Sequence, residues 1–133
     1  MQTENVEIVT TKEKFFQEYL ILKKPVIDAL LSSLHKKKST LNDIPLRVLA
    51  QLLYYNDQYQ EYPDMEKWDM VFSKKTKDQI CENLGMKEHH LNIYLSQLRA
   101  LRILEKKSIR KAFIIYANES RSLNFIFKIN GHS

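Results

Sequence analysis

The sequence predicts a mainly α-helical protein with a small β hairpin, an α+β fold. Apolar residues recur at helical spacing in several segments, and an alternating, β-prone segment follows near the C-terminus. Glycine occurs only twice and proline three times, so long flexible linkers are not expected. The length of 133 residues fits one compact unit with a substantial core.

The N-terminal segment is predicted to contain a short strand and two helices. Residues 6–10 alternate between apolar and polar, which predicts the strand. A capping-box spacing then opens a helix over residues 12–24. We expect Pro25 to interrupt it and a second helix to run over residues 26–35, because proline is tolerated in a first turn. The apolar face of the second helix is formed by Ile27, Leu30, Leu31 and Leu34.

The middle of the chain is predicted to contain one buried helix and an acidic loop. Asp43 is a plausible cap for a helix over residues 44–57, with Pro45 in its first turn. Its buried stripe consists of Leu46, Leu49, Leu52 and Leu53. An acidic loop is predicted over residues 56–69, and a short strand is predicted for Met70-Val71-Phe72.

Two further helices about a glycine turn are predicted after residue 75. Thr76 and Gln79 have capping-box spacing, so we expect a helix over residues 76–84 with Thr76 as its cap. Gly85 ends it, because glycine accepts the left-handed conformation of a tight turn. A helix over residues 87–101 follows, with its buried face marked by Leu91, Leu95, Leu98 and Leu101. A β hairpin is predicted across residues 109–130, with alternating residues in its second strand.

This order resembles the winged helix-turn-helix of MarR-like bacterial regulators and of winged-helix plasmid or phage replication initiators. The matching residues are Thr76, Ile80, Leu84-Gly85-Met86, Leu91, Leu95, Leu98 and Ile103-Leu104. The resemblance implies a winged-helix domain over residues 42–133, preceded by an N-terminal helical extension over residues 1–41, with Met70–Phe72 as a third strand. Two features depart from such families: Arg102 stands where glycine usually precedes the Ile-Leu pair, and the predicted wing has no glycine.

Charge is distributed unevenly, which favours a polyanionic partner. Residues 1–70 carry 9 basic and 11 acidic side chains, a net charge of −2, whereas residues 71–133 carry 12 basic and 5 acidic side chains, a net charge of +7. Together with the resemblance, this predicts a protein that binds double-stranded DNA as a transcriptional regulator or a replication accessory protein of phage or plasmid origin. The alternative explanation of the charge is a solvated, lysine-rich surface.

The candidate DNA contacts lie on the polar face of the last helix, before the preceding helix and at the start of the hairpin. In a helix-turn-helix, the second helix enters the major groove and flanking cations hold phosphates. The candidates are Lys74, Lys75, Lys77, Lys87, Glu88, His89, Asn92, Ser96, Arg99, Lys106, Lys107, Arg110 and Lys111.

The competing function is a winged-helix module for protein contact, or a structural component of an assembly such as a virion or replisome. The acidic half and the tyrosines between Tyr54 and Tyr62 could dock a partner, and the N-terminal helices could bind a protein or a second copy of the chain. An enzyme is the least expected class, because no phosphate loop, nucleophile elbow or paired catalytic carboxylates occur.

No cofactor or metal is expected either. The adjacent pair His89-His90 cannot face one site together on a helix, and Cys81 has no cysteine partner at short spacing. A single cysteine fits a reducing compartment, and the N-terminus lacks a signal-peptide pattern. We therefore expect a cytoplasmic location, in the host cytoplasm or in a virion if a phage encodes the chain.

Overall fold

The computed structural model describes the backbone of residues 2–9, 12–115 and 122–129, and the side chains of residues 13–115. Within these ranges the chain is mainly helical and carries two small antiparallel sheets, as the predicted α+β class requires. The elements are β1 (Gln2–Val9), α1 (Lys12–His35), α2 (Asp43–Gln58), α3 (Asp64–Val71), α4 (Lys74–Leu84), α5 (Glu88–Ala100), β2 (Leu104–Glu105), β3 (Ser108–Ile109) and β4 (Ser122–Ile129). A 3₁₀ turn spans Lys111–Phe113.

Helix α1 is continuous through Pro25, so the predicted division into two helices is wrong. Proline removes one N–H donor and leaves the carbonyl four residues earlier, that of Ile21, without its helical partner. Pro25 lies on the exposed side of α1, where Ile21 is 51% and Val26 is 64% exposed. Water can satisfy the carbonyl on that side, so the helix continues. The buried side faces the core through Phe16, Leu20, Ile27 and Leu31.

Asp28 fixes the loop that connects α1 to α2. One of its carboxylate oxygens accepts the Leu41 backbone N–H at 2.9 Å, and the other accepts Lys24 Nζ at 2.5 Å. Lys24 Nζ also donates to Thr40 Oγ1 at 2.9 Å. Burial alone would raise the pKa of Asp28, but the hydrogen bonds from Lys24, Leu41 and Thr40 outweigh it and lower the pKa. The carboxylate of Asp28, in its ionised form, therefore holds the loop in place.

Helix α2 is the centre of the core, and its predicted leucine stripe is confirmed. Leu46, Leu49, Leu52 and Leu53 are each at most 2% exposed. The helix contacts α1, α3, α4 and α5, which explains why its burial extends beyond one stripe to Val48 and Ala50. Its N-cap is Asn42 rather than the predicted Asp43, which lies in the first turn.

The predicted acidic loop over residues 56–69 and the predicted strand Met70–Phe72 are wrong. Residues up to Gln58 continue α2, and Asp64–Val71 forms α3. Pro63 is the N-cap of α3, and two acidic residues of its first turn lie where the helix dipole favours negative charge. Val71 at 0% and Phe72 at 8% exposure are buried at the end of this helix instead of pairing in a sheet.

The cap of α4 is Ser73, three residues before the predicted cap Thr76. Ser73 Oγ accepts the Thr76 backbone N–H at 3.3 Å. Thr76 is only 1% exposed, and its hydroxyl donates to the Met70 carbonyl at 2.7 Å. The hydroxyl of Thr76 thus joins α4 to the end of α3, and the helix begins one turn earlier than expected.

The predicted hairpin across residues 109–130 is also wrong, because its strands have other partners. β2 pairs with β3 in a short antiparallel hairpin, with Leu104 opposite Ile109. β4 pairs with β1 along its full length, from Gln2 opposite Ile129 to Val9 opposite Ser122. Between them the 3₁₀ turn buries Phe113, which is 5% exposed, so this segment does not continue as a strand. The expected reversal at residues 118–121 lies outside the described residues.

The predicted boundary between residues 41 and 42 stays a prediction. The strand β1 and the helix α1 precede it, and β4 and α2, with which they pair and pack, follow it. His35 makes a further link across it, because its Nε2 donates to the carbonyl of Leu101 at 2.8 Å. This bond connects the end of α1 with the end of α5.

Candidate nucleic-acid interface

The two helices predicted around Gly85 are confirmed. Gly85 has a φ of +64° and ends α4 in the left-handed conformation. Its N–H bonds the carbonyl of Glu82 at 3.3 Å, and the N–H of Met86 bonds that of Cys81 at 3.0 Å. These two bonds form a Schellman motif, which satisfies the last carbonyls of α4. The chain then enters α5 with Lys87 as its N-cap.

Helix α5 has one buried face and one exposed polar face. Leu91, Leu95 and Leu98 are at most 2% exposed and pack toward α2 and α4. At about 100° per residue, the predicted contacts on this helix share a strip to one side of the leucines. This α5 strip consists of Glu88, His89, Asn92, Ser96 and Arg99, all of which are exposed.

Polar contacts tie both ends of the α5 strip to neighbouring elements. At its start, Lys74 Nζ lies 3.6 Å from Glu88 Oε2 and 3.4 Å from Asp78 Oδ1. The hydrogen bond to Asp78, and then the charges of Asp78 and Glu88, raise the pKa of Lys74. At its end, Arg99 Nε donates to the carbonyl of Lys106 at 3.1 Å. The start of α4 therefore lies at one end of the strip and the β2–β3 hairpin at the other.

The cations of the hairpin and of the two helix starts differ in how they are paired. Arg110 is half-buried, and its Nε lies 3.4 Å from Glu105 Oε1. Lys106 and Lys107 form the tip of the hairpin and are exposed, as is Lys111 after it. Lys75 and Lys87 are also exposed, whereas Lys77 is half-buried. Exposed lysines that have no acidic neighbour are the most available groups for phosphate.

Sequence reasoning missed two exposed side chains beside the α5 strip. Arg102 follows the last turn of α5 with a φ of +62°, and the signal for it was the glycine expected at that position. Ile93 is 51% exposed on the outward side of α5, in a position that periodicity alone marks as polar. The candidate interface therefore includes one cation and one exposed apolar side chain that the sequence did not predict.

The histidine pair, Cys81 and the tyrosine cluster have surroundings that are typical of structural residues. The rings of His89 and His90 lie 4.0 Å apart, but within the described residues no group of three possible metal ligands comes together. Burial, and then the charge of Asp78, raises the pKa of the Cys81 thiol, which favours its protonated form. Tyr55 is buried and stacks on Tyr59, with ring centroids 6.2 Å apart.

Comparison of the chain with known protein families, curated proteins and solved structures finds no significant match. None of the helices in the described ranges combines the length and the apolar character needed to cross a bilayer.

Proposed function

We propose that this chain binds double-stranded DNA in the manner of a winged helix-turn-helix, as a transcriptional regulator or a replication accessory protein. The observation that carries the proposal is the exposed α5 strip, which has the start of α4 at one end and the β2–β3 hairpin at the other. The hairpin takes the place of the wing, although it is much shorter than the sequence predicted.

The dimensions of α5 suit the major groove. Its 13 residues span about 20 Å at 1.5 Å per residue, and the groove, about 12 Å wide, admits an α-helix. Residues near the start of such a helix reach the base edges. Asn92 lies one turn into α5 and is exposed, and an asparagine amide can form two hydrogen bonds to adenine. Asn92 is therefore the proposed base-reading residue.

The exposed lysines are the proposed phosphate contacts. Lys106 and Lys107 lie at the hairpin tip, next to the end of the α5 strip. Arg99, at that end, donates a hydrogen bond to the carbonyl of Lys106. Lys74 and Arg110 have acidic neighbours within 4 Å, so each must exchange a carboxylate for a phosphate. Their net contribution to DNA affinity should be smaller than that of Lys106 and Lys107.

The first experiment selects bound sequences from random duplex DNA and then measures affinity for the selected site over a range of salt concentrations. Each phosphate contact contributes about −0.9 to the slope of log affinity against log salt. Replacing both Lys106 and Lys107 by alanine should weaken binding to all sequences and flatten the slope by about 1.8. The matched control is Lys23→Ala with Arg47→Ala, which removes the same charge from exposed positions on α1 and α2.

The base-reading role of Asn92 has a separate signature. Asn92→Ala should relax preference at one base position and cost about 1–3 kcal/mol on the selected site if its contact is bidentate. It should leave the salt slope unchanged. Absence of any duplex binding, even at low salt, refutes the proposal.

Protein contact is the second candidate function, and the exposed side of α1 favours it. Ile21, Leu22, Val26 and Leu30 are 43–64% exposed along this one helix. Such a stripe fits a protein partner or a second copy of the chain. Sedimentation of the pure protein tests whether the chain binds a second copy of itself: Val26→Glu should then convert a dimer to a monomer. If the wild-type protein is a monomer at high concentration, dimerisation is excluded and only a different protein can be the partner.

A further inference from the structure

Two open cavities flank Trp68 where α3 meets the β2–β3 hairpin. One has a volume of about 470 Å³ and is lined by Lys67, Arg110 and Lys111 as well as Trp68. The other has a volume of about 520 Å³ and is lined by Trp68, Met65 and the hairpin tip, Lys106-Lys107. The indole of Trp68 therefore lies between two cavities that both contain cationic side chains.

Lys67 is a nearly buried cation with little compensation. Its side chain is 8% exposed, and its Nζ lies 3.5 Å from Asp64 Oδ1, on a side chain that is itself 90% exposed. The ammonium also lies 4.7 Å from the centroid of the Trp68 ring. An ammonium has three donors, and a charge removed from water is costly unless it is paired. Lys67 thus offers a positive charge that a bound anion would compensate more fully than Asp64 does.

The surroundings of Trp68 are net positive. Five cations line the two cavities, namely Lys67, Lys106, Lys107, Arg110 and Lys111. Three carboxylates line them as well, namely Asp64, Asp69 and Glu105. Glu105 lies 3.4 Å from Arg110, and Asp64 is the neighbour of Lys67. The excess of two positive charges favours an anionic ligand over a cationic one.

Trp68 supplies the second half of a recognition site. It is partly exposed, and Met65 beside it is 83% exposed. An aromatic ring next to cations is the combination on which nucleotides bind, because the ring stacks on a base while the cations hold its phosphate. Inorganic phosphate would use the cations alone and leave the indole unused.

We propose that the junction of α3 and the hairpin binds a nucleotide, with its base against Trp68 and its phosphate on the surrounding cations, Lys67 foremost. The shared chemistry is a base joined to a phosphate, supplied either by a free nucleotide or by a nucleotide of a single strand. This site goes beyond duplex reading by the α5 strip, and it does not depend on that function.

Trp68 is the only tryptophan of the chain, so its fluorescence reports directly on this site. The full-length protein is titrated with thymidine monophosphate, with a short oligothymidylate and, in a separate arm, with inorganic phosphate. We expect saturable quenching by the oligonucleotide, and none by inorganic phosphate. Quenching by the mononucleotide as well identifies a free nucleotide as sufficient, whereas quenching by the oligonucleotide alone identifies a single strand as the ligand.

Variants test the role of Lys67. Lys67→Met should weaken nucleotide binding about tenfold or more, because it removes a hydrogen bond to a charged group. The matched control is Lys23→Met: Lys23 Nζ also lies near an aromatic ring, 6.0 Å from that of Tyr19, but it is exposed and lies outside these cavities. If Lys67→Met fails to fold, as judged by circular dichroism, the exposed Lys111→Gln takes its place and should also weaken binding.

Two results overturn the proposal. One is the absence of any fluorescence change with either nucleotide ligand up to about 1 mM, a concentration at which a site with a Kd of about 1 mM would be half occupied. The other is unchanged affinity in a folded Lys67→Met variant. Duplex binding is measured separately by anisotropy of labelled DNA, with the wild type and with Asn92→Ala. Asn92 lines neither cavity, so its replacement should change duplex binding and leave nucleotide binding unchanged, and failure of the two proposals can be told apart.

Discussion

Arg102 occupies a position where glycine should be more stable. It follows α5 with a φ of +62°, in the left-handed region that L-residues rarely adopt. Its N–H bonds the carbonyl of Arg99 at 2.9 Å, and the N–H of Ile103 bonds that of Leu98 at 3.0 Å. These are the two bonds of a Schellman motif, so α5 ends as α4 does at Gly85 but without the glycine.

The expected gain from Arg102→Gly follows from two opposing effects. The left-handed conformation costs an L-residue about 1–2 kcal/mol, which glycine does not lose. Glycine lowers the free energy of unfolding by about 0.5–1 kcal/mol, because it makes the unfolded chain more flexible. The net change should be a stabilisation of about 0.5–1 kcal/mol. In a chain of this size that raises the melting temperature by about 2–5 °C.

The same reasoning predicts the reverse effect at Gly85. A Cβ placed there would meet nothing within 4 Å, so Gly85→Ala adds backbone strain without a clash. It should therefore destabilise the protein by about 0.5–1 kcal/mol. Ala100→Gly is the control, since Ala100 is exposed and lies within α5, where glycine is less stable than alanine by about the same amount.

Urea unfolding followed by circular dichroism measures these changes. A pure stability effect moves the transition midpoint and leaves the slope m unchanged. Arg102→Gly should move the midpoint up, whereas Gly85→Ala and Ala100→Gly should move it down. If Arg102→Gly and Ala100→Gly shift it in the same direction, the left-handed strain assigned to Arg102 is not present.

Two further predictions concern the core and the loop before α2. Leu95 is 2% exposed, so Leu95→Ala should lower the free energy of unfolding by about 2–5 kcal/mol, and an unchanged melting curve would mean that its side chain is not buried. Asp28→Asn should destabilise the fold by about 1 kcal/mol near pH 7, because the charge-assisted bond from Lys24 is lost. The lowered pKa of Asp28 means that its stabilisation is present above its unfolded pKa of about 3.9 and is lost as the pH falls through the folded value. The difference between wild type and Asp28→Asn in urea should accordingly shrink below about pH 4, and a difference that is constant down to pH 2 would contradict this assignment.

Helices with a regular apolar period could be predicted from the sequence because that period is local. The leucine stripes of α2 and α5 contain residues three or four positions apart, and these are buried except for Leu101, which is half-buried. Gly85 was equally readable, since only one residue type commonly ends a helix in the left-handed conformation. Arg102 was harder to predict, because an arginine does not itself indicate a positive φ, and the one signal was the glycine that the resembling families have at that position.

The start of α4 shows why a local motif can be placed one turn away from its true position. Both Ser73 and Thr76 can cap a helix, and Thr76 with Gln79 has the better capping-box spacing. The structure uses Ser73, because Thr76 is buried and gives its hydroxyl to the carbonyl of Met70. Choosing between them requires knowing that α3 ends beside α4, which no spacing in the sequence reveals.

The prediction of strand pairing was wrong for a related reason. Neighbouring strands usually pair, so residues 109–130 were predicted as one hairpin. The strand β4 pairs instead with β1, whose residues precede it by more than a hundred positions. The alternation of residues 122–129 correctly indicated a strand, but alternation carries no information about which strand lies beside it.

At the candidate interface, too, the features that depend on local sequence could be predicted, and those that depend on tertiary contacts could not. Periodicity placed Asn92, Ser96 and Arg99 on one exposed face, because a helix fixes which residues share a side. It could not show that Lys74 has Glu88 as a neighbour, since that ion pair depends on the angle at which the Gly85 turn brings α4 against α5. Nor could it show that Lys67 is almost buried beside Trp68. Charge counted along the sequence therefore overstates the cations available at the α5 strip. It also misses Lys67, whose nearly buried charge has only the exposed Asp64 and the Trp68 ring beside it, and which makes the junction of α3 and the hairpin a candidate site of its own.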